Sequence, residues 1–106
     1  MTKRKLYRII YSNAFHKELS SIVNYILYAL HNRNAARRLY KSVIGSIESR
    51  STGFPDAYEI FKSDRLTKEY YRIYVNNYVV YYSLKEEVMV VEHIFYSKQN
   101  VLELLS

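Results

Sequence analysis

The sequence predicts an α+β fold in which a helical hairpin packs across one face of an antiparallel sheet. Two segments, about 13–31 and 34–51, place apolar residues at helical spacing. Residues 69–95 form three β-prone segments separated by two polar turns. One further β-prone segment, residues 6–11, precedes the helices. Helices and strands that follow one another in separate blocks are typical of α+β proteins.

The first helix is expected over residues 13–31, with Ser12 or Asn13 as its N-cap. Either side chain can accept a hydrogen bond from the free amides of the first turn. The apolar stripe of this helix consists of Phe15, Leu19, Ile22, Val23, Ile26 and Leu30.

The second helix is expected to start at a cap on Asn34 and to end near residue 51. Gly53 suits the C-terminal cap, and Pro55 cannot continue a helix. Because the connection between the helices is short, we expect an antiparallel hairpin. Its outer face is expected to carry Lys17, Glu18, Arg37, Arg38, Lys41 and Glu48.

Three strands are expected at 69–75, 78–84 and 88–95. Asn76 and Asn77 can form the first turn, because Asn tolerates the positive φ of a two-residue hairpin. The segment 78–84 is apolar on both faces and should be central in the sheet. Residues 56–68 lack a clean period, and the tail from residue 97 can add a helical turn against the body or await a partner.

Composition restricts the class of protein and of chemistry. The 106 residues, 49% of them hydrophobic, are enough for one domain over residues 1–106. The absence of cysteine excludes disulfides and thiolate chemistry, and the three histidines lack ligand spacing, so we expect no metal and no cofactor. The basic start has no apolar run of signal length after it, and no segment approaches the ~18 apolar residues of a membrane span. These features predict a cytoplasmic protein.

The charge predicts a polyanionic partner. The formal net charge is +6, which favours nucleic acid or an acidic protein segment. A basic cluster lies at the start of the second helix, at Arg33, Arg37, Arg38 and Lys41. The 13 tyrosines suit half-exposed sheet faces and interfaces, because Tyr can bury its ring while its hydroxyl stays in contact with solvent.

Strand alternation assigns the polar side chains of the sheet to faces. Arg72 shares a face with Tyr70 and Tyr74. In a regular last strand, His93 shares a face with Met89, Val91 and Phe95, while Tyr96 lies on the opposite face. His93 is therefore expected to be a satisfied, half-buried histidine, and Tyr96 and Lys98 occupy the point where the strand passes into the tail.

Four motifs, in this order along the chain, carry a resemblance to a known family. They are Phe54-Pro55 after the second helix, Tyr71-Arg72 before the hairpin turn, the segment 77–82 (NYVVYY) and the segment 94–100 (IFYSKQN). Together with the order of helices and strands, they resemble the RelE/ParE toxins of bacterial type II toxin–antitoxin systems over nearly the whole chain.

The resemblance implies a toxin that is held inactive by a cognate antitoxin, whose acidic segment binds the hairpin and the sheet edge. RelE-like members cut messenger RNA in the ribosomal A site, whereas ParE-like members bind DNA gyrase. RelE-like toxins usually carry an Arg where this chain has Val79, and their hairpin is shorter. We therefore favour a ParE-like toxin that uses surfaces to bind its target or antitoxin, with Arg33, Arg37, Arg38, Lys41, Tyr70, Arg72 and Tyr74 as contacts.

Two alternatives stay open at this level. In the first, the chain is a ribosome-dependent mRNA endoribonuclease in which Arg72, Tyr96 and Lys98 hold the phosphate. RNA cleavage requires cations around the phosphate, where negative charge develops, and a group that protonates the leaving oxygen. In the second, the chain is a degenerate member kept for transcriptional autoregulation with its antitoxin.

Overall fold

A computed structural model describes residues 6–106, and the basic start at residues 1–5 lies outside the described residues. A five-stranded sheet, in the order β1-β5-β4-β3-β2, carries the two main helices on one face. The elements are β1 (Arg8–Tyr11), α1 (Asn13–Asn24), a π-helical turn (Tyr25–Ala29), α2 (Arg33–Thr52), β2 (Ile60–Phe61), β3 (Tyr70–Val75), β4 (Tyr78–Lys85), β5 (Val88–Tyr96) and α3 (Val101–Leu105).

This architecture confirms the α+β class and the helical hairpin, with one more strand than expected. The additional strand, β2, pairs with β3 at two positions only. β1 pairs with β5 in parallel, and the other pairs are antiparallel. β4 is central, as its apolar character on both faces predicts, and its residues from Val79 to Tyr82 are buried. No helix within residues 6–106 is long and apolar enough to cross a membrane.

The hairpin differs from the prediction at its tip. Ser12 is the N-cap of α1, where its Oγ accepts from the Phe15 amide at 3.0 Å. The helix does not stay α-helical to residue 31, because its last turn widens into the π-helical turn and the chain reverses at His31, whose φ is 51°. The N-cap of α2 is consequently Asn32, not Asn34, and its Oδ1 accepts from the Ala35 amide at 3.0 Å.

The turns use positive φ at non-glycine residues. Asn76 (φ 53°) forms the β3–β4 turn, as predicted, and Glu86 (φ 57°) forms the β4–β5 turn. Gly53 caps α2 but has a φ of −107°, so the left-handed residue that redirects the chain is Phe54, at φ 59°. The prediction that Gly53 is the C-terminal cap of α2 is thus confirmed, and the change of chain direction follows one residue later.

The core lies on both faces of the sheet. The helix-facing cluster contains Phe15, Leu19, Leu39, Val43, Ile47, Ile73, Val75, Val80, Tyr82, Met89, Val91 and Ile94. The opposite face has a smaller cluster of Tyr70, Val79, Tyr81 and Phe95, against which Val101 and Leu105 of α3 pack. The tail therefore adds a short helix to the body, one of the two outcomes that its sequence allowed.

A β-bulge in β5 changes the predicted face of His93. Tyr81 pairs with His93, whereas the next residue, Tyr82, pairs with Val91, so one extra residue, Glu92, interrupts the ladder. A bulge inverts the alternation of the residues beyond it. His93 therefore shares a face with Phe95, whose ring stacks on it at 5.0 Å, and not with Met89 and Val91 as a regular strand required.

The bulge lies where β1 ends and α1 takes over the edge of β5. β1 pairs with β5 as far as Val91. Beyond it, the Glu18 carboxylate accepts from the Ile94 amide at 3.0 Å and contacts His93 Nδ1 at 2.9 Å. Glu18 is half-buried at this edge and does not belong to the outer face of the hairpin, because the strand amide needs an acceptor.

Candidate functional site

The Arg72 surface lies on the sheet face opposite the hairpin. Its guanidinium is 4.7 Å from the Phe61 ring centroid and 5.8 Å from that of Tyr74, and Nη2 is 3.5 Å from Glu59 Oε1. Tyr74 is 66% exposed. Tyr70, although on the same face, is buried against Tyr81, so it supports this surface and does not form part of it.

Tyr96 and Lys98 lie away from Arg72. Tyr96 pairs with Tyr78 and its ring is 5.9 Å from that of Tyr78, which packs on the helix-facing cluster. Arg72 pairs with Tyr81 on the other face. Lys98 is exposed in the turn that follows β5, where Gln99 Oε1 accepts from the Tyr96 amide at 2.8 Å. The three residues of the nuclease alternative are thus not brought together around one position.

The bulge does bring a histidine to the face of Arg72. Arg72, Tyr81 and His93 occupy successive positions across β3, β4 and β5. The middle residue is buried, and its burial raises the pKa of the Tyr81 phenol, with Arg72 acting in the opposite direction. Glu18 contacts His93 Nδ1 and Glu59 contacts the Arg72 guanidinium, so the polar groups at the two ends of this row already have partners.

Arg50 connects three segments of the chain, and the sequence analysis did not predict this role. Its Nη1 donates to the Arg72 carbonyl at 3.1 Å and to the Tyr82 hydroxyl at 2.9 Å, and its guanidinium lies 3.4 Å above the Tyr58 ring. The Tyr82 hydroxyl in turn donates to the Pro55 carbonyl at 2.7 Å. Burial raises the pKa of Tyr82 to about 12, against the lowering effect of Arg50. An arginine in the last turn of a helix gives no sequence signal for these distant contacts.

The outer edge of β3 borders an open groove. β2 covers Tyr70 and Tyr71 only, so within the described residues no strand pairs with this outer edge of β3 from Arg72 to Val75, whose other edge pairs with β4. The groove beside it has a volume of about 560 Å³, and a Cβ added at Gly45 would meet nothing within 4 Å. Its lining is mostly small and polar: Lys41, Ser42, Gly45, Ser46, Ser49, Arg50, Gly53, Tyr58 and Ile73.

A second groove separates the two helices of the hairpin. It has a volume of about 480 Å³, and most of its accessible wall is apolar. Phe15 and Leu19 form buried parts of it, while His16 and Glu48 supply polar groups. The remaining lining residues are Tyr11, Ser20, Val23, Asn24, Tyr40 and Ile44.

The basic cluster of α2 is exposed and unpaired. We refer to Arg33, Arg37, Arg38 and Lys41 as the α2 cluster; all four are exposed. Among residues 6–106, the ion pairs join Lys68 to Glu92, Arg72 to Glu59 and His93 to Glu18, so no carboxylate neutralises the α2 cluster. The same part of the chain contains no group of three side chains placed to hold a metal ion.

Comparison with known proteins gives one family and one fold. The chain matches the family model described as the ParE toxin of type II toxin–antitoxin system, parDE, over residues 9–101. It is also similar to a chain in the structure of the chromosomal ParDE TA system from P. aeruginosa, with a TM-score of 0.72 at 6% identity, over 88% of this chain and 98% of that chain. At this identity the likeness shows a shared fold. No curated protein matches the sequence.

Proposed function

The chain belongs to the ParE toxin family of type II toxin–antitoxin systems, and on that premise we propose that it inhibits DNA gyrase, and thereby replication, by binding. As the toxin of a two-component system, it has an antitoxin as its partner. The observation that carries the proposal is the separation of Arg72 from Tyr96 across the two faces of the sheet. Phosphate cleavage requires several groups aimed at one atom, and binding does not.

The Arg72 surface is the part of the sheet that we assign to the target. Arginine and tyrosine are among the residues that most often dominate the affinity of protein interfaces, and here Arg72 lies beside the exposed Tyr74 on one strand. Arg72 contacts the Phe61 ring and Glu59, and these contacts reduce the side-chain entropy that it loses when it binds. Tyr96 and Lys98, at the end of β5, are additional contacts in this proposal.

The antitoxin is proposed to occupy the two grooves of the hairpin side. The apolar groove between α1 and α2 fits an amphipathic segment, and the open edge of β3 can accept an added strand. Lys41 and Arg50 line the groove beside β3, which suits the acidic segment expected of a partner for a chain of net charge +6. Because its target would be gyrase on DNA, we place the protein in the cytoplasm.

The experiment is pulse-labelling of DNA and protein synthesis in one culture, minutes after the chain is induced without antitoxin. We expect DNA synthesis to stop first, and purified chain to inhibit supercoiling by purified gyrase. If translation stops first, the endoribonuclease alternative replaces the proposal. If neither falls, the chain is a degenerate member.

Two substitutions sharpen the experiment. Tyr96→Phe retains the ring and removes the hydroxyl, so it should leave growth inhibition unchanged under a binding mechanism and abolish it if that hydroxyl donates a proton. Arg72→Gln should weaken inhibition of supercoiling at least tenfold, since an interface arginine is worth about 2 kcal/mol or more. Lys17→Gln removes an exposed charge from α1, on the other side of the sheet, and serves as its control; equal loss in both variants would contradict a specific Arg72 surface.

A further inference from the structure

The helical hairpin has a one-sided distribution of charge. Residues 19–47 contain no aspartate or glutamate, yet they include all four cations of the α2 cluster. Elsewhere in the described chain, Lys68 and Arg72 each contact a carboxylate. The α2 cluster therefore keeps its full positive potential, and no internal ion pair has to be broken before it binds a partner.

The α2 cluster extends both around the solvent side of its helix and along the helix axis. At about 100° per residue, the four side chains spread over roughly 140° of arc from Arg33 to Arg38, opposite the buried stripe of Leu39 and Val43. Along the axis, Arg33 and Lys41 are about 12 Å apart at a rise of 1.5 Å per residue. A partner that pairs with all four therefore presents negative charge across the width of this arc and not along a single line.

We propose that this face of α2 binds the phosphate backbone of duplex DNA. The major groove is about 12 Å wide and admits a helix, and it is bordered on both sides by rows of phosphates. An acidic peptide that lies along the helix presents its charge mainly along one line, which matches this arc less well than two rows of phosphates do. Contacts to phosphates fix position without reading sequence, so the interaction would be non-specific.

The tip of the hairpin adds a second kind of donor to the same face. Tyr28, 69% exposed on the π-helical turn, lines a concavity of about 630 Å³ together with Leu27, His31, Arg33 and Arg37. Tyrosine hydroxyls and histidine donate to phosphate oxygens as arginine does. π-Helical turns and left-handed non-glycine residues are uncommon, and both are found more often at functional sites than elsewhere.

The test is a fluorescence anisotropy titration of a labelled 30-base-pair duplex of mixed sequence with the purified full chain. If four phosphates are contacted, the affinity should fall roughly a hundredfold between 50 and 200 mM salt, because each contact contributes about 0.9 to the logarithmic slope. The triple variant R33Q/R37Q/R38Q should lose about three quarters of that slope. Absence of binding by the wild-type chain at 50 mM salt would overturn the proposal.

The matched control is K62Q/R65Q/K85Q, which removes three exposed cations from other parts of the surface. Both triple variants lower the formal net charge from +6 to +3. If net charge alone determined the affinity for the duplex, the two variants would lose the same amount of affinity, and that result would refute a localised site. Poly-glutamate at equal total charge should displace the duplex poorly, and displacement as efficient as that by unlabelled duplex would identify an acidic protein surface as the ligand instead. Because gyrase is not present, failure here is distinguishable from failure of the gyrase proposal.

Discussion

At the scale of single residues, the hydroxyl of Tyr82 joins three parts of the chain. It donates to the Pro55 carbonyl and accepts from Arg50, which also binds the Arg72 carbonyl. The side chain has no exposed area, so water cannot replace these partners. Its neighbour Tyr81 is buried on the opposite face, and its hydroxyl makes no hydrogen bond to another group within residues 6–106.

These adjacent tyrosines provide a matched pair of substitutions. Tyr82→Phe should lower the free energy of unfolding by about 1–3 kcal/mol, because the Pro55 carbonyl and the Arg50 guanidinium both lose a partner in a dry environment. Tyr81→Phe should change it by less than about 0.5 kcal/mol. Urea denaturation of the two variants measures both values, and equal losses would show that the hydroxyl network does not stabilise the fold.

At the scale of elements, α3 closes the face of the sheet that the hairpin leaves uncovered. It is only five residues long and has no side-chain N-cap, so it has little helical stability of its own. Its half-buried Val101 and Leu105 pack on the cluster that contains Tyr81 and Phe95. Helix formation in the tail is therefore a consequence of this packing.

Substitution of the packed positions should test this account of α3. We expect V101A/L105A to lower the free energy of unfolding by about 1–3 kcal/mol, since two partly buried aliphatic side chains are truncated. Leu104→Ala, at a position 45% exposed, should have little effect. Urea denaturation, with dye binding to the uncovered aromatic face as a second signal, distinguishes the two; similar values for both variants would mean that α3 does not contribute to stability.

At the scale of the whole molecule, the burial of many tyrosines in the fold raises the pKa of their hydroxyls. Burial is the largest cause that raises the pKa of Tyr7, Tyr11, Tyr70, Tyr71, Tyr78, Tyr81 and Tyr82. The pKa of Lys68 is also raised, chiefly by its hydrogen bond to Glu92. All eight groups thus hold their protons more tightly in the folded chain than in the unfolded one.

Alkaline pH should therefore destabilise this protein. A raised folded pKa contributes stability that is complete below the unfolded value, near 10, and is lost as the pH rises through the folded value, about 12 for Tyr82. We expect the urea midpoint to be constant between pH 7 and 9 and to fall steadily from pH 10 to 12. Tyr82→Phe should show a shallower fall, and a midpoint unchanged up to pH 12 would contradict the linkage.

Local sequence determined most of the elements and several of their ends. The cap at Ser12, the turn at Asn76 and the central position of β4 follow from side-chain chemistry and from apolar periodicity within a few residues. The same is true of the shared face of Arg72 and Tyr74. The order of the motifs along the chain was sufficient to identify the RelE/ParE superfamily, because motifs are themselves sequence patterns.

Only the tertiary structure decided how the candidate site residues are combined. Glu18 binds the Ile94 amide from 76 positions away, and Arg50 binds the Arg72 carbonyl from 22 positions away. The bulge at Glu92 occurs where β1 ends beside β5, and it reverses the face of His93. Periodicity records which face of an element is apolar, but the pairing of elements, and with it the burial of each polar group, depends on contacts between segments far apart in the chain.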